Sequence, residues 1–203
     1  MRLHNAGKYN GDESSLPKRE HPEGYVPFKE PQDMKKFAVL MSLLSLAIFA
    51  VMTAIYLVRL LSWISSRGDG AYDFNLVWSW AALILFFATL IPHEVLHALW
   101  FREDVYYYHN LKQGMLFVVG TEDMTKGRFV AMSLCPNVIF GFIPFMIFLI
   151  WSKLSPLGFF GVMAVSAGAG DFANVFNCLT QVPRGGTVYL SGMHSYWYMP
   201  EKD

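Results

Sequence analysis

From Phe74 to Pro92 the chain carries no charge, and at the end of that run it places His93-Glu94-Val95-Leu96-His97. Backbone in hydrocarbon must satisfy its own hydrogen bonds, so a run of this kind predicts a spanning helix. Two histidines four residues apart share one face of a helix, where both imidazoles reach a single metal ion. The glutamate between them is placed to activate a water on that ion. Ionisable groups at membrane depth are costly and mark function. One stretch therefore constrains both the fold, a helix in a bilayer, and the chemistry, a metal-dependent hydrolysis.

Three further runs reach the roughly 20 apolar residues that cross a hydrocarbon core. The four predicted spans cover about 37–64, 76–101, 129–152 and 156–180, the last broken by Gly168, Gly170 and Asp171. Trp63, Trp78, Trp80, Trp100 and Trp151 fall near the proposed ends, where interfacial aromatics are expected. The fold class expected is an all-α integral membrane protein with about four transmembrane helices. The chain is 54% hydrophobic and 16% charged with zero net charge, which argues against nucleic acid as a partner. Membrane lipid is the expected surroundings.

Residues 1–36 hold thirteen charges and four prolines, and they read as a flexible cytoplasmic arm; residues 37–203 read as the membrane domain. A cleaved signal peptide is not expected, because the first apolar run begins only at Phe37. Cys135 and Cys178 lie in apolar runs and read as small hydrophobes. The arm carries seven Lys or Arg. Arg102, Lys112, Lys126 and Arg128 follow the motif, and Arg184 and Lys202 follow the last span. The opposite loops hold only Arg67 and Lys153. The positive-inside rule then predicts a multi-pass protein of the cell membrane with both termini cytoplasmic. Val105–Tyr108 and Met115–Val119, separated by Asn110 and Gly114, predict a hairpin. With Thr187–Leu190 and Tyr196–Tyr198 these pieces predict a small sheet at the cytoplasmic face.

A catalytic zinc site has three protein ligands and an open position for water. His93 and His97 supply two, and the third must lie elsewhere. Asp171, set in Gly168-Ala169-Gly170-Asp171, is the candidate, since no other acidic residue occurs between Lys126 and Glu201. The alternative reading of Asp171 is a helix cap after the glycines. Asn174, three residues on, shares its helical face and is a candidate to orient the aspartate or bind a substrate carbonyl. Pro136-Asn137 predicts a helical irregularity, and Asn137 is a candidate oxyanion donor. Each asparagine serves as readily in an interhelical hydrogen bond. His109 and His194 read as surface histidines, and His4 and His21 receive no role.

The His93-to-His97 motif in the second span, the strand-rich insert and Asp171 in a later span resemble the site-2 protease class of intramembrane zinc metalloproteases. The chain more closely resembles a family of small prokaryotic membrane proteins classed as zincin peptidases. The residues that carry this likeness are HEVLH, Gly170-Asp171 and Ser195-Tyr196-Trp197-Tyr198, over roughly 74–200. The resemblance implies that His93, His97 and Asp171 bind Zn²⁺ and that Glu94 is the general base. It implies a peptide or membrane-protein substrate, with a substrate strand pairing with the sheet between the spans. The chain departs from the site-2 protease pattern after the aspartate, where Phe172 follows.

The expected function is a membrane-embedded zinc metallopeptidase cutting peptide bonds in or near the bilayer. Two rivals stand beside it. One is a non-proteolytic zinc-binding membrane protein with a closed site, completed by His109 or His194. The other is a metal-free scaffold or assembly factor whose polar groups hold helices together.

Overall fold

The computed structural model describes residues 1–31, 33–67, 76–110 and 114–201. Phe74, Lys112 and Lys202, which enter the sequence reading, lie outside them. The chain divides into two compact units, one of Met1–Glu30, Ile91–Cys135 and Asp171–Asp203, the other of Pro31–Leu90 and Pro136–Gly170.

The second unit is helical. Helix α1 (Met34–Ser66) starts where the Asp33 side chain accepts the Lys36 N–H at 2.9 Å. Helix α2 (Leu76–Ala98) begins in this unit and carries Pro92 near its far end. Helix α3 (Lys126–Pro136), which belongs to the first unit up to Cys135, passes into a π-helical turn, Asn137–Phe142, and then into α4 (Ile143–Ile150). Pro136 has no N–H to donate into its helix, and the ladder re-registers just after it. Helix α5 (Ser155–Ala167) packs on α1 and α4. That approach is close because Gly161 has no side chain: a Cβ there would lie 2.9 Å from the Gly141 carbonyl oxygen. Polar groups here use backbone carbonyls. Ser45 donates to Ser166 O at 2.7 Å, and Arg59 Nε to Leu149 O at 2.8 Å.

Among the described residues, three helical stretches are long and apolar enough to cross a membrane: Lys35–Ser66, Trp78–Ala98 and Lys126–Ile150. The expected fourth span is two helices, α5 and α6 (Ala169–Gln181), that pass the same test only as a bent pair broken at Gly168. Gly168 has φ −79°, so its backbone would admit any residue. The space a Cβ would take is filled by the Asn137 amide.

The first unit holds the small sheets expected beside the helices. Among the described residues helix makes up 59%, and seven strands form two sheets rather than the one expected. In the first sheet β1 (Arg2–Lys8) runs parallel to β3 (Asp104–Asn110), which pairs antiparallel with β4 (Met115–Val119). The second has the order β2 (Val26–Pro27), β7 (His194–Tyr198), β6 (Thr187–Ser191), β5 (Met124–Thr125). The β6–β7 turn uses Gly192 at φ +63°, a conformation that suits glycine.

The amino-terminal arm also differs from the flexible segment its composition predicts. It supplies strands to both sheets, and Tyr9, Leu16 and Phe28 are buried. The reason lies in alternation. One face of the first sheet carries Tyr106, Tyr108, Phe117 and Val119, and Tyr9 and Leu16 cover it. Phe28 joins Ala98, Phe101, Val105, Phe129 and Val188 in the unit's main core. A few apolar residues among many charges suffice because each finds a prepared hole. Arg19 lies over the Tyr189 ring and pairs with Asp123 at 2.7 Å, which adds polar anchorage.

Candidate metal centre

The end of α2, from Ile91, belongs to the first unit, and the burial of Ala98 and Phe101 seats it in that unit's core. The chain leaves the helix at Trp100–Phe101 and turns under Glu122. The Glu122 carboxylate accepts the N–H groups of Arg102 at 2.7 Å and Glu103 at 2.6 Å and pairs with Arg128. Arg128 in turn donates to the Trp100 carbonyl through Nε at 2.8 Å. The end of the motif helix is thereby tied to the start of α3.

His93 and His97 lie one turn apart, with their Nε2 atoms 3.2 Å from each other. Asp171, in the first turn of α6, faces both. Its Oδ2 is 3.2 Å from His93 Nε2 and its Oδ1 is 3.3 Å from His97 Nε2. His97 Nδ1 lies 2.9 Å from the Met132 carbonyl oxygen. A carbonyl only accepts, so Nδ1 carries the proton and Nε2 turns a lone pair toward His93 and Asp171. A hydrogen bond of this kind would fix the ring if it held a metal.

The spacing tests whether zinc fits. Zn–N and Zn–O bonds of about 2.0–2.2 Å in tetrahedral array put ligand atoms roughly 3.3–3.6 Å apart. The three observed separations fall at or just under the lower end of that range. His93, Glu94 and His97 each offer a ligand atom, all within 4.8 Å of one another, in a part-buried to buried setting. The donor set, two imidazoles and a carboxylate, is a zinc set.

Glu94 lies beside this trio. Its carboxylate takes a hydrogen bond from the backbone N–H of Val118 on β4. Tyr107, across the ladder from Val118, senses the glutamate: burial first, then the Glu94 charge, raise its phenol above the ordinary tyrosine value.

Asn174 is half-buried on α6, one turn beyond Asp171. Asn137 belongs to the second unit, where it is 1% exposed and packed on Gly168. His109 pairs with Leu116 in the first sheet. His194 is not a surface histidine: Nδ1 lies 3.0 Å from Glu30 and Nε2 3.7 Å from Glu13. His4 and His21, given no role, contact Asp104 at 2.9 Å and the Tyr189 hydroxyl at 2.8 Å. The sequence reading missed the Met132 carbonyl, the Val118 N–H and the Glu122–Arg128 pair. The first two are backbone groups, which no residue type signals. The pair is two ordinary charges until the fold buries them.

Residues 86–186 match the family described as "Putative zincin peptidase". No curated protein and no solved structure matches the chain. Zincins are zinc peptidases, so the family implies zinc, and the His-Glu-His group fits a zinc site.

Proposed function

Because residues 86–186 match the zincin peptidase family, we propose that the chain is a membrane-embedded zinc peptidase in which His93, His97 and Asp171 hold the metal and Glu94 is the general base. The observation that carries this reading is the convergence of two Nε2 atoms and both Asp171 oxygens at 3.2–3.3 Å, with Glu94 alongside. Such a cluster of lone pairs favours a cation at its centre.

Bound zinc supplies positive charge that acidifies a water and polarises the substrate carbonyl. The residues do the rest. Glu94 takes the proton from the attacking water, holds it within the part-buried site, and delivers it to the departing amine. The Met132 carbonyl keeps the His97 ring aimed. The Val118 N–H holds the Glu94 carboxylate, so its free oxygen faces the reacting water. A substrate strand laid along β4, an edge of its sheet, would present its backbone beside Glu94. The substrate is a peptide or a membrane protein, and the surroundings are lipid.

The same reading places both termini in the cytoplasm, on the charge asymmetry of the loops. The amino-terminal segment and the metal-binding domain then face one compartment. A closed zinc site completed by His194 is less well supported, since Glu30 and Glu13 engage both of its ring nitrogens.

The test is metal content per chain in detergent-purified protein. Wild type is expected to hold about one zinc, and His97→Ala and Asp171→Ala to lose most of it. Glu94→Gln should keep zinc and lose peptide cleavage by at least about a hundredfold, the usual worth of a general base. Full zinc in Asp171→Ala would assign the third ligand to another residue. Undiminished cleavage by Glu94→Gln would overturn the mechanism.

A further inference from the structure

One cleft of the first unit is not explained by metal binding. Its volume is about 260 Å³, and Leu3, Asn5, Ile91, Val95, Tyr107 and Val118 line it. Resting on the peptidase reading, we propose that this cleft receives one large apolar side chain of the substrate beside the scissile bond, and that Leu3 of the amino-terminal strand determines which side chain enters.

Position supports this first. Val95 follows Glu94 in the chain, and Val118 donates its backbone N–H to the Glu94 carboxylate. Asn5, Tyr107 and Val118 are cross-strand partners and form one row across the first sheet. Leu3 lies two residues along β1, on the same face. Ile91 and Val95 are four apart on α2 and form the facing wall. A peptide with its carbonyl at Glu94 therefore has a neighbouring side chain at the mouth of this cleft.

Size and chemistry select the occupant. Sites for whole drug-sized ligands begin at about 300 Å³. This one is slightly smaller and suits a single Leu, Met or Phe. Four aliphatic side chains and a tyrosine ring make the walls. The one amide, Asn5, has its carbonyl oxygen engaged by the Gly7 N–H at 3.0 Å. Its NH₂ remains the end that can donate to a substrate carbonyl. Leu3 keeps 42% of its surface exposed, an apolar wall awaiting a partner. Residues 3 and 5 lie outside the matched segment 86–186, so this wall belongs to the part of the chain the family match does not reach.

The experiment uses zinc-loaded full-length protein in detergent and an equimolar mixture of sequence-diverse 14-residue synthetic peptides. Cut sites are read by mass spectrometry for wild type, Leu3→Trp, Leu3→Asp and His4→Ala. Zinc per chain reports folding of each variant. Wild type should favour Leu, Met or Phe at one position next to the cut. Leu3→Trp should move that preference to Ala, Gly or Ser by at least about tenfold, the worth of a methylene or more in such a pocket. Leu3→Asp should admit Lys or Arg at the same position. His4→Ala, on the other face of β1, should keep the wild-type preference. Cleavage with no side-chain preference, as for a cleft filled by lipid, overturns the proposal and leaves the peptidase standing. The same preference in wild type and both Leu3 variants does so too. No cleavage of any peptide by zinc-loaded wild type removes the peptidase reading, and the proposal falls with it.

Discussion

Glu122 is the residue on which the most local structure converges. Its side chain is 5% exposed, it accepts two backbone N–H groups, and it neutralises Arg128 at the end of the motif helix. Glu122→Ala would strand a largely buried guanidinium and two donors. Loss of one partner of a buried pair costs about 3–5 kcal/mol, and the chemical denaturation midpoint should fall accordingly. His194 offers a second residue-scale prediction. Its hydrogen bond to Glu30 and the charges of Glu30 and Glu13 raise its pKa, against the effect of burial. A histidine raised in the folded state stabilises that state below its ordinary value of about 6.5 and loses the contribution as pH climbs through the raised value. Glu30→Gln should therefore lower the thermal midpoint more at pH 6 than at pH 9, measured in one detergent. An equal loss at both pH values would mean that the pair acts by packing alone.

Among elements, the break between α5 and α6 is set by a side chain in another helix. Glycine-to-alanine changes at ordinary backbone angles commonly stabilise by about 0.4–1 kcal/mol through the unfolded state. At Gly168 the new Cβ would meet the Asn137 amide, and overpacking costs about 1–3 kcal/mol. Gly168→Ala should destabilise in the wild type and lose that cost in an Asn137→Ala background, a coupling that a double-mutant cycle reads directly. Strand β1 makes the complementary point. Its sequence, Arg2 to Lys8, has no strand-like alternation of hydrophobic residues, and most of its side chains are exposed. It is a strand because β3 offers an edge, with Asp104 meeting Arg2 and His4 at the start of the register. Propensity had little part in it.

For the whole molecule, the proposed topology puts both ends of the chain on the cytoplasmic side. A reporter that fluoresces only in the cytoplasm, fused at either terminus, should be bright in both cases. A reporter placed at Arg67, between the first two spans, should be dark. A bright fusion at Arg67 would reverse or reduce the span count, and the bent α5–α6 pair would be the element to reassign. The two compact units divide the labour in either case. One is built of apolar helices, and the other gathers the motif, Asp171, the sheets and the arm.

Helices α1, α2 and the α3–α4 stretch were legible in the sequence because long apolar runs of about 20 residues or more fit a helix that pairs its own backbone. The motif was legible because ligand spacing on a helix is a local property, fixed by 3.6 residues per turn. Asp171 was legible through scarcity, as an isolated acid in an apolar stretch. What the tertiary structure alone decided is non-local. The imidazole of His97 is oriented by a carbonyl 35 residues away, Glu94 is held by a strand N–H, and a charged amino-terminal arm is ordered by strands that come about a hundred residues or more later in the chain. Composition averages over such contacts, and a hydrogen bond or a filled cavity is made by particular atoms brought together by the fold.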